Sequence, residues 1–161
     1  MGFFDRLSGT EKPAADVVAV GQLELRDRLL GLNNPAIAWH VRDGSPEGVD
    51  LIAEWKGGDP AWQRLFDGVN LNLTFQVHMR FNAAKQEMRV QDRMIDWTRD
   101  TDFNSPNRLI ETHESGNLRI ETTGSVDGVK YSFNTAEMKD AIKQTVTGSG
   151  WTHRAVIMRK V

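Results

Sequence analysis

The chain has 161 residues, no cysteine and a formal net charge of −2 at pH 7. This length predicts one domain with a core of its own, and a chain without cysteine has no disulfide, thiolate nucleophile or cysteine metal site. Positive and negative residues are interleaved, whereas nucleic-acid-binding domains carry a basic stripe, so no nucleic-acid partner is expected. With no signal-peptide pattern and no apolar stretch of membrane-spanning length, the sequence predicts a cytoplasmic protein.

The first residues, MGFFDRL, form a short amphipathic pattern. Phe3, Phe4 and Leu7 share one face if this segment is helical. We expect them to dock on apolar surface of this chain or of a neighbouring copy. Membrane association is disfavoured, because the myristoylation pattern requires Ser or Thr where Arg6 stands, and a membrane-surface helix needs a longer cationic face.

Hydrophobic periodicity then predicts the elements of the chain in order. They are a helix over 22–32, a hairpin over 35–55, a short helix over 60–66, strands over 71–81 and 88–97, three short strands between 108 and 133, a helix over 135–147 and a final strand from Trp151. This order favours an α+β fold, a mainly antiparallel β-sheet of about seven to nine strands covered on one side by helices. We divide the chain into an N-terminal amphipathic segment, residues 1–15, and a single α+β domain, residues 16–161.

The apolar positions of these elements predict the core. It should contain Leu29, Ile37, Trp39, Leu51, Phe75, Val77, Met79, Leu118, Ile120, Phe133 and Ile142.

The strands of 71–97 form the most informative hairpin. If Phe81 pairs with Met88, then Val77 faces Asp92, which places a carboxylate on the core side of the sheet. Burying an unpaired charge costs several kcal/mol, so we expect Asp92 to be partly buried, bonded to an Arg or a Trp, and mainly structural. The apolar phase slips after Val90, which predicts a β-bulge near Asp92. The alternative is a perturbed carboxylate with a functional role.

The same register puts basic residues on the opposite face. Arg80 lies opposite Arg89, and His78 and Arg93 share their face. Directly opposed arginines repel each other, so carboxylates of a neighbouring strand or of a partner are expected beside them. This strip is the best candidate for a binding surface, and a solvated face is the alternative.

A second candidate site lies in the segment ETHE, where Glu111 and His113 project from one face of a strand. Together with Asp92 they would supply acid and base groups for a small ligand or a reaction; the alternative is a solvated strand edge. Three metal ligands do not assemble, and no phosphate-binding Gly-rich loop or serine-hydrolase elbow is present. We therefore assign no catalytic residue, metal or cofactor.

Three segments, RDGSPEGVDLIAEWK, WQRLF and GSGWTHRAV, resemble a family of small bacterial single-domain proteins of unassigned function. The likeness extends from about Leu23 onward and implies one bacterial domain, but no activity, ligand or catalytic residue. Together with the alternation, it indicates that Trp55 and Trp62 anchor the short helix to the sheet.

These observations favour a non-enzymatic binding or assembly module that acts on a protein partner or on itself. A small-ligand-binding protein or small enzyme using Asp92, Glu111 and His113 is the alternative, and peripheral membrane association through the N-terminus is third. An enzyme needs a pocket in which Asp92 meets another titrating group, whereas an assembly module needs an exposed apolar patch or an open sheet edge.

Overall fold

The computed structural model describes residues 10–68, 73–96, 110–112 and 121–156. Within these ranges only the backbone is described for residues 73–74, 94–96 and 110–112. The expectations for Phe3, Phe4, Leu7, His113, Leu118 and Ile120 fall outside the described residues.

Three helices lie in these ranges: α1 (Gln22–Leu30), α2 (Pro60–Gly68) and α3 (Thr135–Gly148). The strands are β1 (Thr10–Glu11), β2 (Trp39–Asp43), β3 (Leu51–Trp55), β4 (Leu73–Asn82), β5 (Glu87–Asp96), β6 (Ile110–Thr112), β7 (Glu121–Val126), β8 (Val129–Asn134) and β9 (Thr152–Ala155). Asp59 and Asn134 cap the N-termini of α2 and α3, since their side chains accept hydrogen bonds from the backbone N–H groups of Ala61 and Ala136, at 3.0 Å and 2.8 Å.

The main sheet has the strand order β1-β9-β5-β4-β3-β2, with β6 beside the far end of β5. All its pairs are antiparallel except β5 with β9. The predicted α+β fold with a mainly antiparallel sheet is thus confirmed. The strands do not all join one sheet, however, because β7 and β8 form a separate two-stranded hairpin.

One face of the main sheet, which we call the inner face, packs against α1 and α3. Leu25 and Leu29 of α1 and Met138, Ile142 and Val146 of α3 are buried in the same apolar cluster as the inner-face residues. The cluster includes these predicted core residues: Leu29, Trp39, Leu51, Phe75, Val77, Met79, Phe133 and Ile142. Ile37 is only partly buried and packs against its edge.

The predicted register of the β4–β5 hairpin is confirmed. Phe81 pairs with Met88, Val77 with Asp92 and Arg80 with Arg89. The predicted bulge is wrong, because the pairing continues without interruption from Asn82–Glu87 to Leu73–Asp96. Asp92 therefore stays on the inner face.

Aromatic rings join α2 to both sheets. The ring of Phe66 lies 4.8 Å from that of Phe133 on β8 and 6.3 Å from that of Trp55 on β3. Trp62 is half-buried, with its ring 6.5 Å from Phe133 and 6.4 Å from Phe66. Trp55 and Trp62 thus hold the short helix as expected, and Trp62 also holds the β7–β8 hairpin.

Candidate functional site

The face of the main sheet that points away from α1 and α3 carries polar side chains, and we call it the outer face. Strand alternation and the observed registers place these residues on it: His40, Arg42, Ile52, Glu54, Gln76, His78, Arg80, Arg89, Gln91, Arg93 and Arg154. Arginine is the commonest residue among them, so the charge of this face differs from the balanced charge of the whole chain.

Three of these arginines form a line across neighbouring strands. Arg80 on β4 is the pairing partner of Arg89 on β5, which is in turn the partner of Arg154 on β9. We call these three the arginine row. Adjacent strands are about 4.8 Å apart, so the row spans roughly 10 Å.

One carboxylate lies beside the row. Glu87 accepts hydrogen bonds from Arg89 Nε at 3.0 Å and from Arg154 Nη1 at 3.3 Å. Burial raises the pKa of Glu87, but the hydrogen bonds and charges of these two arginines outweigh it and lower the pKa overall. Glu87 is therefore ionised near neutral pH and neutralises part of the positive charge.

Arg80 is the member of the row that has no carboxylate beside it among the described residues. Its side chain is exposed and has no ion pair or hydrogen bond with any residue in the described ranges. Directly opposed like charges destabilise a sheet by up to about 1 kcal/mol. A neutral polar residue at position 80 would therefore give a more stable sheet than arginine does. Residues that reduce the stability of a fold in this way are concentrated at functional positions.

Next to the row, a hydrogen-bonded network surrounds Glu54. Its carboxylate accepts from Arg42 Nε at 2.5 Å, from Gln76 Nε2 at 2.6 Å and from His40 Nε2 at 3.2 Å. Burial is the largest single influence and raises the pKa of Glu54, but the three hydrogen bonds together lower it to about 2. Glu54 is thus a permanent anion that organises the middle of the outer face.

His78 and Gln91 lie between this network and the arginine row. His78 is only 4% exposed and donates from Nε2 to Gln76 Oε1 at 2.9 Å. Burial, with a further contribution from Arg93, lowers the pKa of His78 to about 4, so the ring is neutral at pH 7. The side-chain N–H₂ of Gln91, the pairing partner of His78, is buried and has no hydrogen-bond partner. This hydrogen-bond donor without a partner lies two residues along β5 from Arg89, on the same face of the strand.

A cleft of about 410 Å³ lies at the other end of the sheet, beside β2. It is lined by Asn33, Asn34, Pro35, His40, Val41, Arg42 and Lys56. Its cations are already engaged, since Arg42 pairs with Glu47 at 2.8 Å and Lys56 donates to the backbone oxygen of Asn34 at 2.9 Å. The described residues that line the cleft include no carboxylate, so among them there is no pair of titrating groups of the kind that an acid–base site requires.

Asp92 lies behind the sheet and outside this cleft. It is 5% exposed, and its Oδ2 lies 2.5 Å from Nζ of Lys139 on α3. The partner shown is thus a lysine of a distant helix and not the expected Arg or Trp. This contact explains how a carboxylate can occupy the core side of β5 without a bulge.

The structure therefore divides the predicted site residues into two groups. His78, Arg80, Arg89 and Arg93 lie together on the outer face, and Asp92 lies on the inner face. Glu111 pairs through its backbone with Ile95, but its side chain and His113 are outside the described part of the chain. Sequence reasoning missed Arg154 and Glu54. The alternation of polar and apolar residues in AEWK could have shown that Glu54 points outward. For Arg154 there was no such signal, because no local sequence pattern indicates that β9 lies next to β5.

Comparisons with known proteins add no relative: no family model, no curated protein and no solved structure matches this chain. Within residues 10–68, 73–96, 110–112 and 121–156, no group of three or more metal-binding side chains is placed to hold an ion. No helix in the same ranges combines the length and the apolar character needed to cross a bilayer.

Proposed function

We propose that the protein is a non-enzymatic binding module whose arginine row binds an acidic protein partner. The observation that carries the proposal is Arg80, an exposed arginine directly opposite Arg89 with no counter-charge among the described residues. A partner that brings carboxylates to the row would remove the repulsion within it. Arginine also forms bidentate contacts with carboxylates, which makes it the usual residue for such recognition.

The shape of the outer face favours an extended acidic segment over a small ligand. The row crosses three strands, with Arg80 and Arg154 exposed and Arg89 half-buried between them, so it offers a line of charges and not a concave pocket. Carboxylates on successive outward-facing residues of a partner segment could pair with the arginines of this line.

The enzymatic alternative receives less support from the structure. Asp92 is engaged by Lys139 behind the sheet, and the cleft beside β2 contains no carboxylate among its lining residues. A cytoplasmic location and a bacterial origin remain predictions from the sequence.

A charge-reversal experiment tests the proposal. Arg80→Glu is compared with Lys130→Glu, which makes the same change of net charge at an exposed position of β8. Binding to a fluorescent poly-glutamate peptide is measured by anisotropy over a series of salt concentrations. We expect wild type and Lys130→Glu to bind alike, and Arg80→Glu to bind about tenfold more weakly, which corresponds to about 1.4 kcal/mol.

Two results would count against the proposal. Equal affinities of the two variants would show that net charge, and not the arginine row, attracts the peptide. Tighter binding of a DNA duplex than of the peptide by the wild type would assign the row to nucleic acid instead of an acidic protein.

A further inference from the structure

The outer edge of β2 carries an unusual hydrogen-bond arrangement. Among the described strands, β2 is the last of the main sheet and pairs only with β3. Ala38 accepts from Lys56 N at 2.8 Å and Gly44 donates to Asp50 O at 3.0 Å, so the even-numbered residues bond to β3. The backbone groups of Trp39, Val41 and Asp43 consequently point away from the sheet.

A single side chain satisfies the centre of this edge. The carboxamide of Asn33 accepts from Val41 N–H at 2.6 Å and donates from Nδ2 to Val41 O at 2.8 Å. One donor and one acceptor reaching the same residue is the pattern that a paired residue of a neighbouring strand provides. Asn33 thus occupies the place of a peptide group. Arg42 adds a second side-chain contact, from Nη1 to Asp43 O at 3.1 Å.

We propose that the outer edge of β2 is a strand-pairing surface for a second copy of this chain, and that Asn33 keeps it closed. The surface is distinct from the arginine row and lies three strands from β5 along the sheet. Unpaired edges are sites of association between chains, and proteins close them with side chains or bulges.

Three observations favour a second copy as the occupant. Two β2 edges related by a two-fold axis at Val41 would each offer outward groups at residues 39, 41 and 43, so donors and acceptors match along the strand. The cleft of about 410 Å³ lies on the Asn33 side of β2 and leaves room beside the edge. Asn33 itself is an exposed residue of the segment after α1, so the edge opens when its side chain leaves Val41 and Arg42 releases Asp43 O.

Sedimentation of the full chain over a concentration series tests this inference. Wild type, Asn33→Ala and the neighbouring control Asn34→Ala are compared. We expect Asn33→Ala alone to shift, with rising concentration, toward twice the mass of the 18.2 kDa chain. Adding Asp43→Pro to Asn33→Ala should reverse the shift, because proline removes an outward N–H from the edge without taking a bond from β3.

Asn33→Asp provides a second measurement in case the alanine variant folds poorly. Aspartate still accepts from Val41 N–H but cannot donate to Val41 O, so a smaller shift in the same direction is expected. If both folded variants sediment like wild type at every concentration, the inference is wrong. A shift that persists with Asp43→Pro would also overturn it, because association would then use another surface.

Discussion

At the scale of single residues, the ion pair with Lys139 allows the buried carboxylate of Asp92 to remain charged on the core side of the sheet. Asp92 faces the core from β5, and only 21% of the Lys139 side chain is exposed, so neither charge is fully solvated. Removing one member of such a pair leaves the other uncompensated, at a cost of about 3–5 kcal/mol. The pair therefore fixes the position of α3 on the sheet more than it adds net stability.

We expect Asp92→Asn to lower the free energy of unfolding by about 3 kcal/mol, at the low end of this range because Lys139 reaches some water. Asp140→Asn, an exposed change one position further along α3, should lower it by less than about 0.5 kcal/mol. The double variant Asp92→Asn, Lys139→Met should regain most of the loss. Urea denaturation measures all three, and an Asp92→Asn protein as stable as Asp140→Asn would contradict the interpretation.

Two buried histidines make stability depend on pH. Burial lowers the pKa of His78 to about 4, and burial with the nearby Lys143 and Lys139 does the same for His153. In the unfolded chain each ring titrates near the usual value of about 6.5. As the pH falls, the unfolded state therefore takes up protons at a higher pH than the folded state does. The contribution of the two neutral rings to the free energy of unfolding is complete above about pH 6.5 and is lost as the pH decreases toward about 4.

Each ring contributes up to about 3 kcal/mol to this loss. We expect the double variant His78→Gln, His153→Gln to flatten the fall in unfolding free energy between about pH 6.5 and pH 4. Thr123→Gln, at an exposed position of β7, is the non-titrating control and should keep the wild-type slope. Chemical denaturation at several pH values gives the slopes, and a double variant with an unchanged slope would show that other groups titrate.

At the scale of elements, α2 depends on its aromatic contacts. Trp62 is half-buried between Phe66 and Phe133 and lies 5.7 Å from Lys56 Nζ. We expect Trp62→Ala to cost about 2 kcal/mol, less than the 3–5 kcal/mol typical of a fully buried aromatic residue. Hydrogen exchange should also increase in β7 and β8, because their link to the main sheet is weakened.

The matched control on the same helix is Arg64→Ala. Arg64 pairs with Asp127 at 2.5 Å, but both side chains are more than two-thirds exposed. Exposed pairs contribute about 0–1 kcal/mol, so this change should leave the exchange of the hairpin almost unaltered. Equal effects of the two variants would mean that Trp62 does not anchor the hairpin.

Local sequence patterns predicted the helices and strands and the register of the β4–β5 hairpin. They did not predict which distant segments pair with each other. Alternation in LNLTFQVHMRF and the turn after it were sufficient for the β4–β5 register, because a hairpin is a local structure. The bulge was predicted wrongly because the change in the apolar pattern after Val90 does not interrupt the pairing, and Lys139, from a helix far along the chain, supplies the charge that lets Asp92 stay on the inner face. Likewise the sequence showed Arg80 opposite Arg89 but not Arg154, since the β5–β9 pairing has no local signal.

At the scale of the whole molecule, one glycine joins the segment before α1 to the turn after α3. Gly150 has φ of +81°, and a Cβ there would lie 2.5 Å from the backbone of Ala19. On either side of this approach, Val20 N donates to Ser149 O at 2.9 Å and Trp151 Nε1 donates to Val20 O at 2.8 Å. Glycine is required here both for the left-handed backbone and for the space.

We expect Gly150→Ala to lower the free energy of unfolding by more than about 2 kcal/mol, since a left-handed alanine costs about 1–2 kcal/mol before the clash is counted. Gly148→Ala is the control, because a Cβ at that position would meet no atom within 4 Å and its backbone is not left-handed. It should be neutral or slightly stabilising at the end of a helix. Thermal unfolding of both variants checks the prediction, and similar melting temperatures would contradict it.

The position of β9 also determines when this sheet can be completed during synthesis. Among the described strands, β1 pairs only with β9, and β9 lies between β1 and β5. Residues near 10 therefore gain this partner only after residues near 154 have been made. Pairings between such distant segments form late and slowly. Until residues 152–155 have left the ribosome, the Glu87–Val90 edge of β5 therefore stays exposed on the growing chain. During that interval the nascent protein is most accessible to chaperones and to pairing with other chains.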